Sequence, residues 1–335
     1  MNALAWDESG RARLLIGAVL LYTASRTAAE ALAGKTRSPG KTALAHWMPV
    51  AVAAIAALLV RRADLALCII FCTSVASLSL VQGTIVLMAP RDEAPPDLRR
   101  VWPFALVTAL MALLAGFAGR LTWMHALIFL GEGAVLLAVW MDLNRQDVPV
   151  QPQPQPQPSS RKTALWLLSV MMALVGAAIA MRGAVAMSRP MAWPSANVVI
   201  VLILGPLLAA PMLFGAAGLA RQKQAAIATT TSVGLVLLNL CLLLPAVVLL
   251  WYPISALHYD PTAPLRLRMD ALGGVTPMVF SLVTWRVDNV VLVLLGFILL
   301  PPALGRWRLG RSEGITLVGL YVAYVLMEVV ADTRM

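Results

Sequence analysis

The stretch Val150-Gln151-Pro152-Gln153-Pro154-Gln155-Pro156-Gln157-Pro158 decides how the rest of the chain is divided. Proline fixes φ and lacks a backbone N–H, so alternating Gln-Pro cannot form a helix or pack into a core. This composition is typical of an extended, solvated polyproline II spacer. We therefore predict a linker at residues 144–162, between a first unit at 1–143 and a second unit at 163–335.

The sequence on both sides of this linker has the composition of a membrane protein. Apolar residues (AVILMFWYC) make up 60% of the 335 residues and charged residues only 13%. A soluble globule is about half apolar and about a quarter charged. The lipid bilayer is therefore the expected environment. The 26 Lys and Arg exceed the 16 Asp and Glu, but no nucleic-acid-binding motif accompanies this excess, so no nucleic-acid partner is expected.

Apolar runs long enough to cross a bilayer, about 20 residues, occur five times in each unit. Backbone groups in lipid must be satisfied internally, and no alternating barrel pattern is present, so the spans are predicted to be helices. The fold class is then an all-α, polytopic membrane protein with about ten transmembrane helices. The predicted spans are 12–34, 43–60, 64–89, 101–119 and 121–142 in the first unit, and 164–187, 195–220, 225–252, 275–303 and 314–331 in the second.

The charges of the loops predict the orientation. Loops after the first, third, fifth, seventh and ninth spans carry more Lys and Arg than the loops on the opposite side. The positive-inside rule then places the linker in the cytoplasm and both termini outside the cell inner (plasma) membrane. Because five spans is an odd number, two homologous units would lie upside down relative to each other, as in many secondary transporters.

Features recur in the same order in both units, which indicates an internal duplication. Arg26 in the first span corresponds to Arg182 in the sixth. Pro49 and Pro211 are each followed, twelve residues later, by a polar turn and then by a span that carries Ser and Thr. Late in each unit a Gly-Arg pair precedes a Glu-Gly pair, Glu132-Gly133 in the first and Glu313-Gly314 in the second. We therefore predict two inverted five-helix repeats.

This pattern resembles the sodium/calcium exchanger superfamily, the cation/Ca²⁺ antiporters, over nearly the whole chain. The resemblance implies two inverted five-helix halves joined by a cytoplasmic linker. Each half carries a Gly-Thr-Ser-Leu-Pro-Glu stretch followed by Gly-Ser-Asn-Ile-x-Asn on the next helix. Pro49 and Pro211 match the proline of this repeat, and Gly234 and Asn239 match the glycine and last asparagine of the second copy. The activity implied is secondary active, antiporter-like ion transport.

The chain departs from the superfamily at the positions that the resemblance assigns to ion binding. Val50 and Met212 stand where the family has its glutamates. Cys72-Thr73-Ser74 replaces Gly-Ser-Asn in the first copy, and Ser77 replaces its last asparagine. Calcium takes six to eight oxygen ligands, usually including carboxylates. We therefore expect a divergent member with degenerate repeats, whose substrate is a small ion or small solute other than Ca²⁺.

Cysteine and histidine positions argue against an enzyme. Cys68, Cys72 and Cys241 lie in apolar runs, and the three histidines are far apart in the chain without a zinc-binding spacing. No nucleophile motif or phosphate-binding loop is present. We expect no catalytic residues, no metal site and no cofactor.

Ionisable residues inside apolar runs are functional candidates because burying a charge in lipid is costly. Arg26 and Glu30 are four residues apart on one helix face, so they either neutralise each other or contact the substrate. His46 is either hydrogen-bonded between helices or a proton-coupling group. Glu132 is either paired or part of a proton relay. Arg182 has no acidic residue one turn away, so it finds a partner on another helix, reaches the interface or binds an anion.

Hydroxyl, amide and proline residues complete the candidate ion pathway. The hydroxyls either bond to their own helix or line a polar cavity, and the prolines are expected to kink their helices. Asp288, beside Arg286, is interpreted as an interfacial anchor. The pathway candidates of this class are Pro49, Thr73, Ser74, Ser77, Pro211, Thr230, Thr231 and Asn239.

Two functions remain open at this point. A secondary transporter predicts a water-accessible cavity at the midplane, lined by the second, third, seventh and eighth spans, with His46, Glu30 or Glu132 as proton-coupling groups. A non-transporting scaffold or accessory subunit predicts a dry midplane filled by apolar side chains. The sequence leaves the oligomeric state open.

Overall fold

The computed structural model describes residues 8–33, 39–90, 96–146, 160–187, 195–256, 278–280, 282–305 and 308–333. The Gln-Pro repeat, and with it the predicted polyproline II spacer, lies outside the described residues. The unit boundaries at 1–143, 144–162 and 163–335 stay a prediction.

The described residues contain ten long helices, five in each unit, as the sequence predicts. Seven of them are long and apolar enough to cross a membrane, and the fourth and fifth contain shorter apolar stretches at Trp102–Ala118 and Trp123–Leu136. The helices are α1 (Glu8–Ala33), α2 (Pro39–Leu59), α3 (Ala63–Met88), α4 (Pro96–Ala115), α5 (Trp123–Gln146), α6 (Ser160–Met187), α7 (Ala196–Arg221), α8 (Ala225–Ala256), α9 (Leu282–Ala303) and α10 (Arg311–Thr333).

The ninth span begins later than predicted, because residues before it form a strand. Met278–Val279 (β2) pairs antiparallel with Arg120–Leu121 (β1), which lies between α4 and α5. Met278 is fully buried. Short apolar runs occur both in buried strands and in helices. The composition of 275–281 therefore could not show whether these residues form a strand or the beginning of the ninth helix.

The second and third helices of the two units share their local geometry at a constant offset of 162 residues. The polar turn after the second helix places a non-glycine residue in the left-handed region in both units, and a wide π-helical turn interrupts the third helix in both. The equivalent features are Pro49 and Pro211, Arg61 and Lys223 (φ 60° for each), and the π-helical turns Ser77–Val81 and Asn239–Leu243. The duplication predicted from the sequence is therefore present in the backbone.

The first helices of the two units, α1 and α6, pack side by side in opposite directions. Gly17 of α1 faces Gly176 and Ala180 of α6, and Gly183 of α6 faces Gly10 and Leu14 of α1. Small residues let the two backbones approach closely, as is common between membrane helices. Because equivalent helices run antiparallel, the two units are inverted repeats.

The third helices of the two units, α3 and α8, form the centre of the molecule. Of the described residues in the first half of α3, Ala63–Ala76, all but Asp64 are buried. The fifth helix of each unit packs on the third helix of the other unit. Gly133 of α5 approaches the carbonyl oxygen of Cys241 in α8, and Gly314 of α10 approaches that of Gly83 in α3. Large exposed apolar side chains on the outer helices, such as Leu15 and Ile128, face the lipid bilayer.

Candidate functional site

A cavity of about 720 Å³ opens between α1, α2 and α7, and we call it the vestibule. It brings together four of the residues predicted from the sequence, which lie far apart in the chain. The residues that line the vestibule include Arg26, Glu30, His46, Pro211, Gly215 and Gly218.

Glycines on α7 leave room for this cavity. A Cβ atom added at Gly218 would meet no atom within 4 Å, and one at Gly215 would meet only His46 Nε2, at 3.9 Å. At these two positions α7 therefore presents backbone to the vestibule, while Phe214 and Leu219 of the same helix line it with side chains.

His46 is held in place by a hydrogen bond between helices. Its Nδ1 lies 2.8 Å from Ser25 Oγ of α1, and both residues are buried. With Nδ1 engaged, the ring turns Nε2 towards Gly215 and the vestibule. His46 is therefore hydrogen-bonded between helices, which is one of its two predicted roles. Its Nε2 faces the vestibule, so the other role, as a proton-coupling group, stays a prediction.

Arg26 and Glu30 line the vestibule without forming the internal ion pair that their spacing allows. Both side chains are exposed. Arg62 and Asp64, in contrast, do form an ion pair, at 2.8 Å in the turn between α2 and α3. Water in an open cavity solvates each charge, and an exposed pair gains little from contact. Both charges are therefore available to a solute in the vestibule.

Polar residues of α3 and α8 form a closed hydrogen-bonded cluster at the centre, which we call the α3–α8 seam. The Asn239 side-chain amide donates to Thr73 Oγ1 and Ser74 Oγ, both at 3.1 Å. These two hydroxyls in turn donate to the carbonyl oxygens one turn earlier in α3, at 2.7 Å. The members of the seam are Thr73, Ser74, Ser77, Gln82, Ser232 and Asn239, all buried.

The other end of the seam is closed in the same way. Ser232 Oγ donates to the carbonyl oxygen of Ser77 at 3.1 Å and accepts from the Gln82 amide at 2.8 Å. Gln82 also donates to the carbonyl oxygen of Thr229, at 3.1 Å. The predicted position of the cavity is between the second, third, seventh and eighth spans. These bonds instead draw α3 and α8 together, so α1 takes their place in the wall of the vestibule.

The remaining predicted pathway residues lie outside both the vestibule and the α3–α8 seam. Thr231 bonds back to the carbonyl oxygen of Ile227 at 2.7 Å, as serines and threonines commonly do in apolar helices. Thr230 is partly buried, Arg182 is exposed and Pro49 is buried. A role in the ion pathway stays a prediction for these residues.

Glu132 is paired with a hydroxyl of the neighbouring helix. Its Oε1 lies 2.6 Å from Thr108 Oγ1, which is also 2.7 Å from the carbonyl oxygen of Phe104 and 3.5 Å from Cys241 Sγ. A hydroxyl has a single proton and cannot donate to both oxygens, so a proton on Glu132 would satisfy both contacts. Glu132 is thus paired with Thr108, as one of its two predicted roles requires. Its other predicted role, as part of a proton relay, stays a prediction.

Sequence reasoning missed buried polar groups in α9 and α10. The interpretation of Asp288 as an interfacial anchor is wrong, because its side chain is 1% exposed and accepts a hydrogen bond from Tyr324 at 2.6 Å. Glu328 is 2% exposed. It lies inside the last apolar run, so the rule that selected Glu30 and Glu132 could have found it.

The comparisons with known proteins agree with this architecture. The model of the sodium/calcium exchanger protein family matches residues 14–140 and 162–330. The chain belongs to the sodium/calcium exchanger family. It is therefore a multi-pass membrane protein of an ion-transporter family, which supports a non-enzymatic role. Among curated proteins, no sequence matches this chain.

Solved exchanger structures share the fold at low sequence identity. A structure of the sodium-calcium exchanger NCX_Mj, soaked with 10 mM Na⁺ and zero Ca²⁺, has a TM-score of 0.64 and 15% identity over 95% of this chain and 98% of that chain. The H⁺/Ca²⁺ exchanger CAX has a TM-score of 0.73 and 12% identity over 97% and 85% of the two chains. This likeness shows a common fold.

Positions that the resemblance assigns to ion binding hold other side chains in this chain. Val50 and Met212, at the positions that the resemblance assigns to glutamates, are buried apolar side chains. No group of three or more His, Cys, Asp or Glu residues within the described ranges could hold a metal ion. The seam supplies hydroxyls that already serve in hydrogen bonds. Asn239 Oδ1 is its one buried side-chain atom without a hydrogen-bond partner.

Proposed function

We propose that the protein is a secondary active transporter of the antiporter type whose cargo is a small ion or small polar solute other than Ca²⁺. The observation that carries the proposal is the vestibule, where an arginine, a glutamate and a histidine nitrogen face an open cavity next to Pro211. Family membership supports the transporter class, and the degenerate ion-binding positions argue against Ca²⁺.

The difference between the two units supports one-sided access. At the 162-residue offset, His46 corresponds to Leu208, and Gly215 and Gly218 correspond to Ala53 and Ala56. Leu208 and Ala53 are buried, so the surface equivalent to the vestibule is apolar and packed. A solute can therefore enter from one side, and transport requires a second state in which the closed surface opens.

Successive helices alternate in direction, which places the vestibule at the membrane face that carries the end of α1, the beginning of α2 and the turn at Arg221–Gln224. The loop charges predict that this face is cytoplasmic. We propose that cargo binds from the cytoplasm, with the linker on the same side and both termini outside.

Flux measurements in proteoliposomes test the proposal. Uptake of radiolabelled or fluorescence-reported Na⁺, K⁺, H⁺, Ca²⁺, chloride, phosphate and small zwitterions would be measured under imposed ion or pH gradients. We expect gradient-driven flux of at least one solute and none of Ca²⁺. Arg26→Gln should lower that flux at least about tenfold, since it removes a charge from the cavity wall. Arg13→Gln changes an exposed arginine on the same helix and should leave the flux unchanged.

A second candidate function is a non-transporting scaffold or accessory subunit that keeps the fold. The α3–α8 seam favours it, because hydrogen bonds between buried side chains hold the two central helices together where a solute would have to pass. Absence of flux for every solute under every gradient, together with recovery of a stable partner in pull-downs, would support this function over transport.

A further inference from the structure

Two acidic side chains of α9 and α10 are buried at the membrane face opposite the vestibule. Asp288 lies near the beginning of α9 and Glu328 near the end of α10, and both are at most 2% exposed. The beginnings of α3 and α7 lie at the same face because successive helices alternate in direction. Neither carboxylate belongs to the vestibule or to the seam.

The carboxylates are stabilised by few partners. Asp288 Oδ1 accepts a hydrogen bond from the Tyr324 hydroxyl at 2.6 Å. Glu328 Oε1 is buried with no hydrogen-bond partner among the described residues. No described Lys, Arg or His forms an ion pair with either residue. Tyr324, the partner of Asp288, and Asp332 lie four residues before and four residues after Glu328 on α10, on the same helix face. The neighbours of Glu328 therefore include two carboxyl groups, which disfavour a further negative charge.

The helices packed around the pair supply no compensating cation in their described parts. From α3 come Asp64, which Arg62 already pairs, and the thiols of Cys68 and Cys72. From α10 come the phenols of Tyr321 and Tyr324. At the beginning of α7, Asp332 accepts from the Ser195 N–H at 3.0 Å. The α4 helix presents Trp102 and Leu106 to α9. Apart from Arg62, which is bonded to Asp64, the described groups that face the pair are thus acidic or neutral.

A cavity of about 20 Å³ beside Asp288 limits what could bind there. Its size is that of about one water molecule. Its side-chain oxygens come from Asp64, Asn197 and Asp288, and the rest of the wall is aromatic, aliphatic or sulfur. A divalent cation needs about six oxygens, and the described residues offer no metal-holding cluster. Glu328 does not line this cavity, and a proton, which is held on a carboxyl oxygen and needs no cavity, is the cation that fits.

We propose that Asp288 and Glu328 form a proton-binding site, in which Glu328 holds a proton at neutral pH. The Glu328 carboxylate takes a proton from water and becomes an uncharged carboxylic acid, which removes the uncompensated charge from a site without a countercation. Asp288 keeps the hydrogen bond from Tyr324. This site lies at the membrane face opposite His46 and does not depend on any proton-coupling role of that residue.

Infrared spectroscopy of the purified full-length protein tests the site without any transport assay. We expect the carbonyl band of un-ionised carboxyl groups at pH 7 to lose amplitude in Glu328→Gln. Glu313→Gln changes an accessible glutamate of the same helix and should leave the band unchanged. A band of unchanged amplitude in Glu328→Gln would overturn the proposal.

Two further measurements keep the test decisive if Glu328→Gln does not fold. Labelling the unmodified protein with ¹³C-glutamate should shift the band, and failure to shift it would overturn the proposal. Removing the negative charge of Asp288 favours ionisation of Glu328, so in Asp288→Asn the band should disappear at a lower pH than in the unmodified protein. Glu313→Gln should leave the midpoint of this carboxyl-to-carboxylate change unmoved, and an unmoved midpoint in Asp288→Asn would overturn the pairing.

A metal cation at this site gives a different result. Replacing choline chloride by NaCl or CaCl₂ at constant pH should leave the band unchanged. Loss of the band on addition of Na⁺ or Ca²⁺ would show that a metal ion displaces the proton and would overturn the assignment. Because none of these readings uses flux, failure of the transporter proposal would leave them intact.

Discussion

At the scale of single residues, polar side chains at the centre of the molecule bind each other and the helix backbone. Asn239, at a position that the resemblance assigns to the ion-binding motif, uses its amide to bind Thr73 and Ser74. Each hydroxyl has already given its proton to the backbone, so it can only accept. The same residue types that would coordinate an ion are thereby used in bonds between helices.

Asn239→Ala should destabilise the protein because it removes two hydrogen bonds between α3 and α8. Bonds between membrane helices contribute about 0.6 kcal/mol each on average, so with the small cavity left behind we expect a loss of about 1–2 kcal/mol. The free energy of unfolding in mild detergent measures it. Thr316→Ala, which removes an exposed hydroxyl of α10, serves as the control. Equal stability of the two variants would contradict the role of the seam.

At the scale of elements, close contact between α1 and α6 depends on glycine. A Cβ atom at Gly17 would lie 2.5 Å from the carbonyl oxygen of Gly176 and still closer to the backbone nitrogen of Ala180. These neighbours are backbone atoms of a helix, which cannot rotate away as the end of a side chain can. The pair of first helices is therefore held at a distance that only the absence of a side chain allows.

Gly17→Ala should force α1 and α6 apart and lower stability by about 1–3 kcal/mol, the usual range for overpacking. Gly131→Ala is the matched control, because a Cβ atom there would meet nothing within 4 Å. Thermal unfolding followed by size-exclusion chromatography compares the two. A Gly17→Ala protein as stable as Gly131→Ala would show that the helices can shift without cost.

The turns between the second and third helices of the two units have the same backbone conformation, so equivalent substitutions in them should have equal effects on stability. Arg61 and Lys223 both adopt φ 60°, which costs a non-glycine residue about 1–2 kcal/mol, whereas glycine loses about 0.5–1 kcal/mol in backbone entropy. Arg61→Gly and Lys223→Gly should each raise stability by about 0.5–1 kcal/mol. Arg221→Gly, at the end of α7, should lower it. Opposite effects at Arg61 and Lys223 would argue against equivalent turns.

At the scale of the whole molecule, inverted repeats with different side chains make the two membrane faces unequal. The vestibule opens at one face, while Leu208 and Ala53, at the positions equivalent to His46 and Gly215, are buried. The three native cysteines are buried, which gives a low background for thiol labelling.

Gly218→Cys should react with a membrane-impermeant thiol reagent, because position 218 lines the vestibule and has room for a side chain. Ala56→Cys, its equivalent at the 162-residue offset, packs against the core and should react at least about tenfold more slowly. Gly218→Cys should be labelled in inverted membrane vesicles and protected in intact cells if the vestibule is cytoplasmic. Equal labelling of both variants would contradict one-sided access, and labelling in intact cells would reverse the orientation.

Much of the fold could be predicted because it follows from local composition. Ten helices, their inverted pairing and the family resemblance depend on apolar length, an odd number of spans and repeated Pro, Gly and Arg positions, all of which a sequence displays. The beginning of α9 could not be predicted, since hydropathy does not distinguish the strand Met278–Val279 from a helix end. The predicted pathway residues share one property, a polar side chain within an apolar run. That property identifies single residues but does not indicate which of them lie next to each other in the folded protein.

The sequence by itself determined that this chain lies in a membrane as two inverted copies, because the cost of exposing backbone and charge to lipid acts on every residue regardless of its partners. Tertiary structure alone decided which polar residues meet. It brought Arg26, Glu30 and His46 to one cavity, joined Asn239 to Thr73 and Ser74, and buried Asp288 beside Tyr324. Hydrogen bonds and ion contacts form over about 3 Å, and only the packing of helices distant in sequence sets distances of that size.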